Sequence, residues 1–397
     1  MDKLFENYIE RRGTDSSKWN LEAMASMSGY ADEESIPLWV ADMDFKAPEI
    51  VIKKLKERIE HGVFGYNMPT TKYYESLNYW YSKRYKWNLE KDWIVTTPGV
   101  VPALHYIVQA FSKEGDGVII QTPVYYPFKK SIENNKREVV ENRLIERDRE
   151  YFIDFEDLEE KTKNPKNKIM ILSSPHNPVG RIWKKEELEK IGEICLRNNV
   201  LLISDEIHSD LILFNNKFIS FGNLSESFLN HSIVCTAPSK TFNLAGLQTS
   251  NIIIPNEDIR NTLKNFLITI SAKITPNIFG NIAVEAVYSE EGEQWLEKLK
   301  DHLEKNYIFM KEYFEKYLPK VKCTELQGTY LAWVDFREVD SFITGKELED
   351  KIAKEAKVVL DGGSIFGDQG AGFMRVNIAC HRDTLEEALK RICNIFL

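Results

Sequence analysis

Short, continuously apolar segments alternate with amphipathic helical stretches along the middle of the chain. The segments span residues 118–120, 169–172, 200–203, 233–235 and 252–254, and a helical stretch at 184–197 separates two of them. Strands that lack alternation of polar and apolar residues are buried on both faces, as in parallel sheets covered by helices. The pattern therefore predicts an α/β fold with a largely parallel sheet.

The C-terminal part of the chain has a different pattern. Residues 257–288 and 294–317 have the apolar spacing of two long helices, and strands at 330–336, 358–360 and 373–378 then mix with helices at 345–354 and 384–396. The 397 residues exceed the size at which one hydrophobic core usually stops growing. We predict an N-terminal arm that forms part of a small domain (1–47), a large domain (48–288) and a small C-terminal α+β domain (289–397).

Composition and charge limit the classes of molecule that the protein is expected to bind. The net charge of -9 argues against nucleic acid, because phosphate contacts need clustered lysine and arginine. No apolar run approaches the roughly 20 residues of a membrane span, and the polar N-terminus has no signal-peptide core. Five scattered cysteines without a C-x-x-C pair argue against a disulfide framework or a zinc site. We expect a cytoplasmic protein that has no membrane, nucleic-acid or metal partner.

Polar residues follow the predicted strands at the positions where ligands of open α/β sheets bind. Asn177 lies between two prolines after the segment 169–172, and its side chain can donate amide hydrogens. Asp205 follows the segment 200–203, with His208 three residues further on. A carboxylate at such a position can keep a pyridinium nitrogen protonated, because an opposite charge favours the charged form.

A lysine loop and a helix N-terminus complete this set. Ser239 and Lys240 follow the segment 233–235. A lysine removed from water has a lowered pKa and can form a Schiff base, and the serine could bind a phosphate oxygen. Gly99 opens a helix that runs to residue 111, and N–H groups at a helix N-terminus bind phosphate. Each feature alone has an ordinary interpretation as a turn, an N-cap or a surface lysine, but the four in this order indicate one ligand site.

These motifs resemble a known superfamily. Asn177-Pro178, Asp205-x-x-His208 and Ser239-Lys240, at this spacing, are similar to the class I/II aminotransferase superfamily of fold-type I enzymes that use pyridoxal 5′-phosphate (PLP). RGTDSSKW (12–19), WVADMDF (39–45), GTYLAW (328–333) and RVNIAC (375–380) resemble its cystathionine β-lyase branch, the MalY/PatB family. The resemblance covers essentially the whole chain. It implies a mainly parallel seven-stranded sheet between helices, with a smaller α+β domain.

The resemblance also implies a role for each site residue. Lys240 is the expected Schiff-base lysine and the catalytic residue. The expected cofactor-binding residues are Gly99, Val100, Val101 and Ser239 at the phosphate, Tyr125 stacked on the ring, Asp205 at the pyridine nitrogen, Asn177 and His208 at the 3′-oxygen, and Tyr66 from the neighbouring subunit of a homodimer. The expected substrate-binding residues are Arg375, on the α-carboxylate, with Tyr66 and Asn177. Gln248 departs from the superfamily, because many relatives have a phosphate-binding arginine eight positions after the lysine.

The function implied by the resemblance is carbon–sulfur β-elimination. Cystathionine, and cystine or other S-substituted cysteines, would give a thiol, pyruvate and ammonia. An aminotransferase that uses a 2-oxo acid acceptor would need the same residues, so this alternative stays open. A PLP-binding regulatory protein with little turnover is a second alternative, against which the intact Lys240, Asp205 and Arg375 argue.

Overall fold

The computed structural model describes residues 3–271, 276–339 and 345–397. Its helices are α1 (Leu21–Ser28), α2 (Glu49–His61), α3 (Thr71–Tyr85), α4 (Val100–Phe111), α5 (Pro127–Glu133), α6 (Phe155–Lys163), α7 (Lys185–Arg197), α8 (Glu226–Leu229), α9 (Pro238–Thr241), α10 (Glu257–Ser271), α11 (Ile278–Val287), α12 (Glu290–Tyr317), α13 (Lys346–Lys351) and α14 (Arg382–Asn394). Its strands are β1 (Ile36–Pro37), β2 (Ile94–Thr97), β3 (Gly117–Ile120), β4 (Glu138–Glu141), β5 (Ile145–Arg147), β6 (Glu150–Phe152), β7 (Asn167–Ser173), β8 (Leu201–Asp205), β9 (Ser232–Thr236), β10 (Ser250–Ile253), β11 (Lys322–Cys323), β12 (Leu331–Asp335), β13 (Val358–Val359), β14 (Asp361–Gly362) and β15 (Phe373–Asn377). None of the helices described is both long and apolar enough to cross a membrane.

The large sheet has seven strands in the order β2-β10-β9-β8-β7-β3-β4. Strand β10 runs antiparallel to both of its neighbours, and the other neighbouring pairs are parallel. Strands β7, β8 and β9 lie side by side, so their carboxyl ends at Ser173, Asp205 and Thr236 meet at one edge of the sheet. The mainly parallel seven-stranded sheet expected from the sequence is confirmed.

Helices cover both faces of this sheet, which explains why its strands are continuously apolar. Ile169 and Ile171 of β7 share a hydrophobic core with residues of α4 and α10. Met170 and Leu172 share a second core with residues of α7. Successive side chains of a strand point to opposite faces, so a strand between two helical layers needs apolar residues at every position.

A smaller antiparallel sheet has the strand order β11-β12-β15-β14. Its strand β15 places Arg375 between Trp333 of β12 and Asp361 of β14. The short strands β1 and β13 pair in parallel and so join the N-terminal part of the chain to the C-terminal part. The domain boundaries at 47/48 and 288/289 remain a prediction.

The helical prediction for residues 257–288 is wrong in one respect. The structure has two helices there, with α10 ending at Ser271 and α11 beginning at Ile278. Pro276 lacks an N–H and Asn277 caps α11 by accepting the N–H of Gly280 at 2.8 Å, so a new helix begins at this point. The middle of the predicted helix, residues 272–275, lies outside the described residues.

Candidate active site

A cavity of about 200 Å³ lies at the edge of the large sheet where β7, β8 and β9 end. Its lining residues are Ala41, Pro98, Gly99, Val100, Val101, Pro102, Tyr125, Ser173, Asn177, Asp205, Ile207, His208, Ser239, Lys240, Ala245 and Thr249. The lining contains every site residue predicted from the sequence except Tyr66 and Arg375. The loops that follow separate strands therefore converge on one cavity, as expected for an open α/β sheet.

Lys240 lies on the one-turn helix α9, directly after β9. Its Nζ donates a hydrogen bond to the carbonyl oxygen of Ala41 at 2.7 Å. Burial, together with the nearby Arg375 guanidinium, lowers the pKa of Lys240 to about 8, and the Asp42 and Asp205 carboxylates oppose the shift. An amine with this pKa is half neutral near pH 8, so it can act as a nucleophile or as a base.

Asp205 is the last residue of β8, and its side chain is buried. Its Oδ1 accepts the N–H of Ile207 at 3.1 Å. Burial raises the pKa of Asp205 to about 7, and the N–H of Ile207 and the Lys240 charge oppose this shift. A buried carboxylate in this state has a strong preference for a cationic or N–H partner.

His208 is also buried, and its Nδ1 has no hydrogen-bond partner among the residues that the structure describes. Burial holds the pKa of His208 well below its usual value, and the Lys240 and Arg375 charges act in the same direction. The imidazole is therefore neutral near pH 7. A neutral, buried ring nitrogen of this kind is suited to a hydrogen bond with a ligand.

Arg375 does not line the cavity but lies directly behind Asn177. Its Nη1 donates to Oδ1 of Asn177 at 3.0 Å, and its Nη2 donates to the carbonyl oxygen of Trp39 at 3.1 Å. Tyr125 is connected to the same loop, because its N–H donates to the carbonyl oxygen of Asn177 at 3.0 Å. The large and small sheets thus meet at Asn177.

The opposite end of the cavity is formed by the N-terminus of α4 and by the lysine loop. Gly99 is the N-cap of α4, and Val100 and Val101 form its first turn. Ser239 and Thr249 line this part of the cavity together with them. The first N–H groups of a helix have no partner within that helix, so the start of this twelve-residue helix, next to hydroxyl side chains, is suited to an anion.

Two of the residues singled out from the sequence lie elsewhere. Tyr66 is fully exposed, with a relative solvent accessibility of 101%, and is not part of the cavity formed by its own chain. Gln248 has a left-handed backbone (φ 46°) and does not line the cavity, although the neighbouring Thr249 does. The cavity of one chain therefore contains neither the tyrosine nor the glutamine.

The segment 39–45 closes one side of the site, and its contribution was not foreseen. The carbonyl oxygen of Ala41 accepts hydrogen bonds from both Lys240 and Tyr330, at 2.7 and 2.8 Å. Asn243 binds backbone groups of Met43 and Phe45 at 2.8–3.0 Å. The sequence of this segment carries the family resemblance but gives no sign of this role, because any residue can present a backbone carbonyl.

Fold and cavity together define an α/β protein whose cavity, between a buried lysine and a buried aspartate, is suited to a small anionic ligand. The chain belongs to the aminotransferase class I and II family, whose sequence model matches residues 33–392, and within it to the MalY/PatB branch. It is 43% identical to cystathionine beta-lyase PatB of Bacillus subtilis (strain 168) and 31% identical to protein MalY of Escherichia coli (strain K12), with 98% of each chain covered in both comparisons. The crystal structure of cystalysin from Treponema denticola, which contains a pyridoxal 5′-phosphate cofactor, is 41% identical and superposes with a TM-score of 0.94 over 98% of each chain.

Proposed function

We propose that the chain is a PLP-dependent carbon–sulfur β-lyase. It cleaves cystathionine, and cystine or other S-substituted cysteines, to a thiol, pyruvate and ammonia. The observation that carries the proposal is the convergence of Lys240, Asp205 and Asn177 on one cavity, with Arg375 directly behind Asn177. The full-length identity of 43% to a cystathionine beta-lyase supports the choice of reaction.

The polar groups around the cavity fit the ring of PLP. The buried carboxylate of Asp205 suits the protonated pyridine nitrogen. Burial disfavours the negative charge of this carboxylate, and a positively charged partner would offset that cost. The side chains of Asn177 and His208 suit the 3′-oxygen, and Nδ1 of His208 lacks a partner within the described part of the chain. Tyr125 offers an aromatic face, and Lys240 offers the amine for covalent attachment.

The phosphate group fits the other end of the cavity. The N–H groups of Gly99, Val100 and Val101 and the hydroxyl of Ser239 would hold it. Gln248 replaces the arginine that many relatives use at this point, so backbone amides and hydroxyls would make a larger contribution here. Tyr66 would add a hydroxyl from the neighbouring subunit.

Each residue around the cavity would have a separate role in the reaction. When bound, the cofactor supplies an electron sink for the charge that develops at the substrate Cα. Arg375 binds the α-carboxylate and so orients the Cα–H bond. Lys240 accepts the Cα proton as general base, which its pKa of about 8 permits near neutral pH. The carbonyl oxygen of Ala41 can hold the lysine in place before and after this transfer.

The overall reaction balances with one water. The Cα–H and Cβ–S bonds of the substrate break, and the sulfur leaves with its electron pair and is protonated to a thiol. The remaining three-carbon fragment takes up water and gives pyruvate and ammonia. No oxidant or second amino acid is consumed.

An aminotransferase is the second candidate, because the family includes such enzymes and would use the same residues. The two reactions are separated by assaying pyruvate from cystathionine without any 2-oxo acid, beside conversion of the cofactor to its amine form by alanine. We expect elimination to exceed transamination at least about a hundredfold in kcat/KM, about 2.7 kcal/mol in barrier difference. Efficient reaction with alanine and little pyruvate from cystathionine would instead assign an aminotransferase.

We also propose a homodimer with composite sites. The segment 59–68 exposes several large apolar side chains, namely Ile59, Val63, Phe64, Tyr66 and Met68, whose relative accessibilities are between 55% and 101%. A group of exposed apolar residues of this kind is typical of a protein interface. A second copy of the chain is the occupant that would bring Tyr66 to a neighbouring cavity.

A cytoplasmic location is a further part of the proposal. None of the five cysteines forms a disulfide, and four of them are buried. Unpaired thiols are typical of a reducing compartment.

A further inference from the structure

Arg375 already has an anionic partner within the chain. Asp361 lies directly opposite Arg375 on the neighbouring strand of the small sheet. Nη2 of Arg375 donates to the carboxylate of Asp361, and the two side chains are only 3% and 2% exposed. The proposed anchor of the substrate carboxylate is thus part of a buried ion pair.

The hydrogen bonds of the guanidinium determine where a second carboxylate can bind. Nη1 donates to Asn177, and Nη2 donates to both Trp39 and Asp361. Nε is buried and has no partner among the residues described. The N–H of Nε and one N–H of Nη2 point to the same side of a guanidinium and form one of the forks that bind carboxylates. A carboxylate that satisfies Nε therefore also meets Nη2, whose N–H groups already have Asp361 and the carbonyl oxygen of Trp39 as acceptors.

We infer that Asp361 competes with the substrate α-carboxylate for Arg375. Asp361 pairs with the guanidinium while the site is empty, gives up part of this contact when substrate binds, and returns to it when product leaves. The inference rests on the proposed role of Arg375. Because pyruvate retains the carboxylate, the same competition weakens the binding of product.

The energetics favour this arrangement. A buried arginine without a counter-charge is strongly destabilising, so Asp361 stabilises the empty site. When a second carboxylate arrives, two anions share one cation, and their repulsion in a buried site lowers the net binding energy. Burial raises the pKa of Asp361, and the Arg375 charge opposes this shift by favouring the ionised carboxylate.

Propionate binding to the holoenzyme tests the competition directly. Propionate has a carboxylate but no amino group, so its binding can be followed by calorimetry without turnover. Asp361→Asn removes the negative charge and keeps an oxygen that can accept from Nη2. We expect the dissociation constant of propionate to fall at least about tenfold in this variant, and the KM for cystathionine to fall with it. Should Asp361→Asn fail to fold, Asp361→Ser removes the same charge, and we expect the same direction of change.

The controls separate this inference from the proposed function. Asp335→Asn removes another buried carboxylate of the same sheet, one that pairs with Arg337, and should leave propionate binding unchanged. Arg375→Lys should weaken propionate binding at least about tenfold. Weaker binding in Arg375→Lys, without tighter binding in the folded Asp361 variants, would overturn the competition and leave the anchor in place. Unchanged binding in Arg375→Lys would remove the anchor itself.

Discussion

Burial and nearby charge set the chemical state of each side chain at the cavity. Lys240 has a pKa of about 8 because it is removed from water beside Arg375. Asp205, at the end of the neighbouring strand β8, has its pKa raised to about 7 by burial. An exposed lysine and an exposed aspartate would both be fully charged at neutral pH, whereas here both groups can change protonation state near it.

The reactivity of Lys240 can be measured through its covalent attachment to the cofactor. Borohydride treatment of the holoenzyme should fix the cofactor to Lys240, and Lys240→Ala should abolish this product and lower kcat by at least about a hundredfold. In protein freed of cofactor, the rate of covalent attachment should rise as the pH increases through about 8, because only the neutral amine reacts. Peptide mapping and rapid-mixing spectroscopy measure these effects. Lys305→Ala, at an exposed position, is the control, and a pyridoxyl group on any other lysine would contradict the assignment.

Strand ends are the elements that carry the site, and they also hold a second buried acid. Glu206 follows Asp205 and is 1% exposed. Its carboxylate accepts from the hydroxyls of Ser204 and Ser220 at 3.0 and 2.7 Å and from the N–H of Phe221 at 2.8 Å. Burial raises the pKa of Glu206 to about 7 in spite of these donors. The turn after β8 is therefore connected to the segment around residue 220 through an acid that resists ionisation.

Replacing Glu206 with glutamine should change how the free energy of unfolding depends on pH. The folded protein binds the proton of the Glu206 carboxyl group more tightly than the unfolded chain does. The stabilisation that Glu206 contributes is therefore fully present below pH 4.5 and is lost as the pH rises to about 7. Across this pH interval, the free energy of unfolding of Glu206→Gln should rise relative to that of wild type by on the order of 3 kcal/mol, at about 1.4 kcal/mol per pKa unit. Denaturant titrations at several pH values measure the difference. Glu186→Gln, on the exposed side of α7, should show no such gain, and parallel curves for Glu206→Gln and wild type would refute the prediction.

At the scale of the whole molecule, the site depends on parts of the chain that are far apart in sequence. The large sheet contributes Lys240 and Asp205, the small sheet contributes Arg375 and Asp361, and the segment 39–45 binds to both. Tyr66 lies outside the cavity of its own chain and is fully exposed. The proposed second copy would supply this last component.

Subunit mixing tests whether Tyr66 acts across an interface. Lys240→Ala and Tyr66→Phe homodimers should each have low activity. After exchange at equal concentrations, half of the dimers are hybrids with one intact site, so about a quarter of wild-type pyruvate formation should return. The control is exchange of Lys240→Ala with the double variant, in which no site is intact. Verified hybrids without recovery would place the function of Tyr66 within its own subunit.

The sequence by itself determined the large sheet and most of the cavity. A continuously apolar strand has to be buried on both faces, which a position between two helical layers provides. The carboxyl ends of neighbouring parallel strands then meet at one edge of the sheet. Asn177, Asp205 and Lys240 therefore had to lie close together once their strands were recognised. Strands β2 and β4 were not recognised, because each contains only two consecutive apolar residues.

Only the tertiary structure decided which groups surround Arg375 and Lys240. The partners of these two residues include Asp361, paired across a two-residue strand, and the carbonyl oxygens of Trp39 and Ala41. Such contacts leave no trace in residue type or spacing, since any residue can present a carbonyl oxygen and a lone aspartate gives no sign of its partner. They arise because the packing of the small sheet and of the segment 39–45 against the large sheet leaves each buried charge close to a group that stabilises it.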